Sequence, residues 1–220
     1  LHSAGIDAVG LANNHAADFG EEALLESIAN LEANEIAAVG AGGTAERAYR
    51  PHFFTTRSGT RGAVIALDDT GDSSGPTAIA SAQDRIRVEA AIVEARRVAS
   101  FVLCFVHWGE ENTPKVSERQ RELARWLIDR GADSVVGSHP HCLQPFDSYH
   151  GRPIFYSLGN LVFDGAPTLA SWNRGQLLEF SLAGVRPSFR LVPVQLDARG
   201  FPQTGEPDRA RQRPVALLPR

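Results

Sequence analysis

The sequence contains no methionine, and Lys115 is its only lysine, so arginine carries almost all of the positive charge. Such a bias reflects genome composition more readily than a binding surface, and no functional weight is placed on it. Acidic residues outnumber basic ones by 26 to 22, which leaves a formal net charge of -4. That balance offers no basic field able to follow a nucleic-acid backbone, so no nucleic-acid partner is expected. Long apolar runs are missing as well. Nothing approaches the roughly 18 uninterrupted apolar residues that a membrane helix needs, and the N-terminus lacks the charged, apolar and small-residue succession of a signal peptide. The chain by itself is expected to be soluble. Cysteine is limited to Cys104, inside "FVLCFV", and Cys142, next to His141. Two thiols in such different settings do not make a disulfide framework. No internal repeat is visible.

What is present is 220 residues with 43% apolar content, enough to bury one core, so residues 1–220 are expected to form a single domain. The opening "LHSAGIDAVGL" reads as the last turn of a helix, a glycine cap at Gly5 and then a strand. An opening of this kind, in a chain without methionine, leads to the expectation that the sequence is a piece of a longer protein. Residues that complete a site are then expected upstream of Leu1.

Short apolar runs alternate with helical patterns, the layout of an α/β domain. A helix is predicted over residues 21–34, with Leu24, Ile28 and Leu31 on one face and Asp18 or Glu21 as its cap. "IAAVGA" reads as one strand, and "HFFTTR" with "GAVIAL" as a hairpin across the turn from Ser58 to Arg61. "DDTGDSSGPT" reads as a loop. A second helix is predicted over about 83–99, burying Val88, Ile92, Ala95 and Ala99, and it leads into the wholly apolar strand "FVLCFV". Ser117 and Gln120 form a capping box for a third helix, which turns Leu123, Leu127 and Ile128 inward and stops at Gly131. Strands follow at "DSVV", "PIFYSL", "QLLEFSLA" and "SFRLVPVQL", and the tail from Arg199 is expected to be irregular.

Three apolar strands end in histidine-bearing turns: "AVGLANNH" at His15, "LCFVHWGEE" at His107, and "VVGSHPH" at His139 and His141. In α/β folds, residues just past the carboxyl ends of strands meet at one edge of the sheet, where ligands bind. Neutral imidazoles are the commonest nitrogen ligands of metals, and Asn14 adds a neutral oxygen. Mixed nitrogen and oxygen donors suit zinc, manganese or iron better than calcium. Each signal alone also has an ordinary explanation. "NNH" is a common turn, "HWG" is often a histidine under a tryptophan, and Glu110 and Glu111 read as solvated carboxylates. Asn160, in the "GN" pair after "PIFYSL", is equally a turn residue or a residue lining the cleft. His2, His52 and His150 lack such settings and read as ordinary surface or strand residues.

Taken together, "GIDAVGLANNHAADFG", "HWGEE", "GADSVVGSHPHCLQPF" and "RPIFYSLGNLVFD" resemble the CapA family of capsule-biosynthesis, or poly-gamma-glutamate synthesis, proteins within the calcineurin-like metallophosphoesterase superfamily. The likeness extends to about residue 197. It implies a four-layer α-β-β-α sandwich whose strand-end loops hold two metal ions. The superfamily's "GNH" motif falls on Asn13, Asn14 and His15, with Asn13 in place of the usual glycine. This implies Asn14 as a metal ligand and His15 as the catalytic group beside the leaving oxygen. The lone histidine motif falls on His107. The "GHxH" motif falls on His139 and His141, with Ser138 intervening after Gly137. The superfamily's first aspartate motif and its bridging acid would precede Leu1. By analogy one ion keeps Asn14, His107 and His139 and the other keeps only His141. The full-length protein is thus expected to hold two divalent transition metals (Mn, Zn or Fe), and this chain at most one.

The resemblance implies a metal-dependent hydrolase of a phosphoester or related bond, linked to capsule or poly-gamma-glutamate synthesis. Its expected substrate is an anionic small molecule or polymer. Its expected partner is a capsule-synthesis complex at the cell envelope, reached through the segment upstream of Leu1. The competing reading is a non-hydrolytic module that holds an anionic polymer during synthesis or export.

Overall fold

In a computed structural model of the chain, residues 1–71, 78–164, 171–183, 187–203 and 215–216 are described. A short turn of helix at His2–Ala4 closes on Gly5 in the left-handed conformation (φ 75°), the glycine cap expected there. β1 (Ala8–Gly10) runs parallel to β2 (Ala37–Val39), and α1 (Gly20–Ala33) joins them. The α1 start departs from expectation. Neither Asp18 nor Glu21 caps it, because Phe19 occupies the cap position without a side-chain hydrogen bond and Asp18 bonds to His15 instead. "IAAVGA" is likewise two strands, since Gly40 at φ 92° separates β2 from β3 (Ala41–Gly42).

After α2 (Ala45–Ala48), β4 (His52–Thr55) and β5 (Arg61–Asp68) form the expected antiparallel hairpin. The segment read as a loop starts inside β5, because Asp68 is its last residue. Residues 72–77 of that segment lie outside the described residues. β6 (Ala78–Ile79) pairs with β3. α3 (Arg85–Val98), capped by Asp84, buries Val88, Ala91, Ile92 and Ala95. It feeds β7 (Phe101–His107). α4 (Glu118–Arg130) has the Ser117–Gln120 capping box and ends at Gly131, and β8 (Ser134–Ser138) follows.

β9 (Phe146–Tyr149), whose residues are mostly exposed, carries no apolar signal and has no counterpart among the predicted strands. β10 (Arg152–Phe155) completes a six-stranded sheet ordered β4-β5-β7-β8-β10-β9. Its four inner strands are parallel and both edge strands antiparallel. A second, antiparallel sheet contains β11 (Arg174–Ser181), β12 (Ser188–Leu196) and the short β13 (Pro202–Gln203). A further two-residue strand, β14 (Val215–Ala216), pairs with β12. The tail is therefore not wholly irregular, although residues 204–214 and 217–220 lie outside the described residues.

Helices α3 and α4 cover one face of the six-stranded sheet, burying Val88, Ile92, Leu123 and Leu127 against Val102, Cys104 and Val135. The opposite face meets β11 and β12 through Val136, Phe155, Phe189, Leu178 and Phe180. Phe155 and Phe189 meet edge to face at 4.9 Å, a favoured aromatic geometry. Beside them, β1 and β2 pack on the same face through Ala8, Val39, Ala66 and Phe105, and α1 covers that small sheet with Leu24 and Ile28. The result is a four-layer α-β-β-α sandwich. Among the described residues, no helix is long and apolar enough to cross a membrane.

Candidate metal centre

Because β5, β7 and β8 are parallel and in register, Asp68, His107 and Ser138 form one row across three strands at the carboxyl edge of the sheet. Paired residues in neighbouring strands share a face, so the row places three polar side chains side by side. Ser138 Oγ lies 3.1 Å from His107 Nδ1. The loop after β1 brings Asn14 to the other end of that ring, with Oδ1 2.8 Å from Nε2. Asn14 Nδ2 is 3.3 Å from His15 Nε2, and His15 Nδ1 is 2.9 Å from Asp18 Oδ2. A carboxylate only accepts, so His15 carries its proton on Nδ1 and accepts at Nε2 from the Asn14 amide. The Asn14 oxygen then faces His107, whose Nε2–H donates to it while Nδ1 accepts from Ser138. One unbroken relay thus runs from Ser138 to Asp18.

β8 delivers the remaining two histidines through a turn that its sequence makes tight. Gly137 sits where a Cβ would lie 2.1 Å from the Tyr156 carbonyl oxygen and 2.2 Å from the Trp108 indole nitrogen. Trp108 is fully buried and donates to that same carbonyl at 2.8 Å. The tryptophan of "HWG" is therefore structural, and it seats the strand end from which the histidines project. Beyond Ser138, His139 (φ 95°) and His141 (φ 53°) both adopt left-handed backbone, flanking Pro140. Non-glycine residues held there cost of order 1–3 kcal/mol each, and such strain concentrates at functional sites. The turn is pinned from outside by the Asn112 backbone N–H, which donates to the Pro140 carbonyl at 2.8 Å. The His139 ring centre lies 4.6 Å from that of His107 and 6.4 Å from that of His141.

The five residues singled out from the sequence, Asn14, His15, His107, His139 and His141, are thus brought together. His52 lies in β4 and His150 on the surface, away from this cluster. Glu110 and Glu111 are exposed, although the Glu111 charge reaches His139. Asp68 is a residue that sequence reasoning misses. It looks like the first residue of a polar loop, but it is the buried end of β5. Its carboxylate accepts from the Thr70 hydroxyl at 2.9 and 3.1 Å, and its charge favours the protonated form of His139. Asn160 is buried and hydrogen-bonded to His141. Its "GN" setting after a strand is the only sign of that in the sequence.

Burial, reinforced by the charges that His139, His141 and His15 could carry, pushes the His107 pKa down to about 3. Burial likewise lowers that of His139. Both rings are therefore neutral at physiological pH, the state in which imidazole binds metals. Burial raises both thiols, Cys104 to about 12, so neither is a ready thiolate.

Do these residues fit a metal ion? Two ligands about 2.1 Å from one ion, at angles between 90° and the tetrahedral value, have donor atoms about 3.0–3.4 Å apart. The 2.8 Å between Asn14 Oδ1 and His107 Nε2 is close to that spacing. Nδ1 of His141 is engaged by Asn160, the outer support that ligating histidines have. Nδ1 of His107 faces the Ser138 hydroxyl, which can accept as well as donate, so an ion at Nε2 would displace the proton to Nδ1 and turn that hydroxyl. Among the described residues, no three His, Cys, Asp or Glu side chains close around one point by themselves. An ion here accordingly depends on Asn14 as an oxygen donor.

The family model for the bacterial capsule synthesis protein PGA_cap matches residues 1–165. The PGA biosynthesis protein CapA of Bacillus subtilis (strain 168) is 35% identical over 158 residues, covering 70% of this chain and 41% of that protein. The capsule biosynthesis protein CapA of Bacillus anthracis is 34% identical over 172 residues, covering 74% of this chain and 42% of its own length. A probable polyglutamine synthesis accessory protein of Mycobacterium tuberculosis is 32% identical over 170 residues, covering 70% and 44%. The chain thus spans less than half the length of these relatives. A crystal structure of a hypothetical protein from Thermus thermophilus shares the fold, with a TM-score of 0.53 over 99% of this chain and 79% of its own, at 19% identity. With the family model covering three quarters of the sequence and the motif residues gathered at one sheet edge, the chain belongs to the bacterial capsule synthesis protein family PGA_cap.

Proposed function

We propose that this chain forms a divalent transition-metal site, of manganese, zinc or iron, in a hydrolase acting on a phosphoester or related anionic bond during capsule or poly-gamma-glutamate synthesis. The observation that carries the reading is the 2.8 Å contact of Asn14 Oδ1 with His107 Nε2, with His139 and His141 alongside. Asn14, His107 and His139 would hold one ion, and His141 would face a second position. A bound ion supplies charge neutralisation for an anionic ester and acidity for an attacking water.

The chain's own groups do the rest. Asn14 joins the ligand set to the acid: its oxygen faces the ion site and its amide nitrogen faces His15 Nε2, which orients that ring. Asp18 holds the other side of the ring. His15, exposed at the rim, accepts at Nε2 while neutral; once protonated there it would turn that N–H from the Asn14 amide to a departing oxygen, with Asp18 still accepting from Nδ1. The substrate we propose is an anionic small molecule or a polymer, and the names of the Bacillus relatives support a place in PGA or capsule biosynthesis. A capsule-synthesis complex at the cell envelope is the partner proposed with it.

The test is hydrolysis of a chromogenic phosphodiester by the full gene product, lost with chelator and restored by manganese. His15→Ala should lower turnover by roughly 100-fold or more while metal content stays near wild type. Metal lost in step with activity would make His15 a ligand. A metal-loaded protein without hydrolysis would favour a module that holds an anionic polymer.

A further inference from the structure

Asn160 is buried, and its amide is oriented without ambiguity. Nδ2 is surrounded by two carbonyl oxygens, those of Trp172 at 2.8 Å and His141 at 3.3 Å. A carbonyl only accepts, so this end of the amide must be the nitrogen. The other end, Oδ1, therefore faces His141 Nδ1 at 2.9 Å. An amide oxygen only accepts in turn, so His141 must carry its proton on Nδ1, and its lone pair lies on Nε2. In water a neutral imidazole favours the opposite form, with the proton on Nε2.

The anchor is built into the second sheet. Asn160 N–H donates to the Arg174 carbonyl at 3.2 Å, and Gln176 N–H donates to that of Leu158 at 2.8 Å. A Cβ on Gly175 would lie 2.0 Å from the Asn160 carbonyl oxygen, and one on Gly159 (φ 68°) would lie 2.4 Å from that of Arg174. Only glycines allow the loop after β10 to sit this close to the start of β11. Phe163 closes the far side of the imidazole, with ring centres 4.8 Å apart. The His141 ring is thus held by β11 through Asn160, although its backbone belongs to the β8 turn.

We propose that Asn160 is the positioning residue of His141, locking it in the Nδ1–H tautomer so that Nε2 is presented as a metal donor. This rests on the metal reading above for its purpose, but not for its geometry. The experiment is long-range proton–nitrogen NMR of the metal-free chain with labelled histidine, at a pH where the rings are neutral, alongside cobalt(II) titration of the same samples. Wild-type His141 should show the Nδ1–H pattern. Asn160→Ala should revert it largely to Nε2–H and weaken cobalt binding by roughly 10–100-fold. Asn160→Asp keeps an acceptor oxygen towards His141 but sets its second oxygen against the Trp172 and His141 carbonyls, so where it folds it should retain a proton on Nδ1. An Nε2–H pattern in the wild type would overturn the proposal even if Asn160→Ala did not fold, and so would an unchanged His141 in a folded Asn160→Ala. Failure of the wild type to bind cobalt would count against the metal reading alone, because the tautomer still decides the role of Asn160.

Discussion

His107 shows how one side chain can be suited to a ligand's task at some expense to the fold. Burial holds its folded pKa near 3, while the unfolded chain titrates near the ordinary 6.5. As pH falls below 6.5 the unfolded state takes up a proton that the folded state refuses. The stability that His107 contributes above 6.5 is therefore lost progressively towards pH 3. For the metal-free chain, His107→Gln should flatten the fall in unfolding free energy between pH 6.5 and 4, as followed by urea denaturation at several pH values. An unchanged slope would mean that His107 is solvated in the folded state. His139 stores cost in its backbone instead, at φ 95°. Glycine adopts that conformation freely, so His139→Gly should leave metal-free stability within about 1 kcal/mol of wild type while weakening metal uptake at least tenfold. A large loss of stability would show that the histidine ring is there for packing.

At the scale of elements, the site depends on β8 ending where it does. Gly137 lets the strand pass against Trp108 and the Tyr156 carbonyl, so Gly137→Ala should destabilise the chain by roughly 3 kcal/mol, read from the urea midpoint. A neutral result would mean that the indole can retreat, and the turn would not need its tryptophan. This level also separates what can be read in the sequence from what cannot. The α4 capping box, the buried faces of α3 and α4 and the apolar run of β7 up to His107 are legible because local periodicity and capping chemistry alone determine them. The three histidine-bearing strand ends are legible for the same reason: an apolar run followed by a polar turn marks the carboxyl edge. Asp68 is not, because a strand's last residue, when polar, looks like the start of the loop that follows it. β9 is not, because an edge strand with exposed side chains has no apolar alternation to show. The grip of Asn160 on His141 depends on β11 packing against a loop, a contact that no local pattern encodes.

In the whole molecule, residues distant in sequence meet because parallel strands in register set their ends side by side. Asn14 arrives from the β1 layer, His107 and Ser138 from the central sheet, and the support of His141 from the second sheet. The helices α3 and α4 cover the opposite face and contribute none of these groups. The site is thus a product of the sandwich as a unit, and metal uptake should report on the docking of its layers. Anomalous diffraction from crystals of the chelator-stripped chain reloaded with zinc or manganese tests this centre most directly. The expected result is an anomalous peak about 2.0–2.2 Å from both Asn14 Oδ1 and His107 Nε2, with His139 as a third ligand. A peak confined to His2, His52 or His150, or none at this cluster at saturating metal, would contradict it.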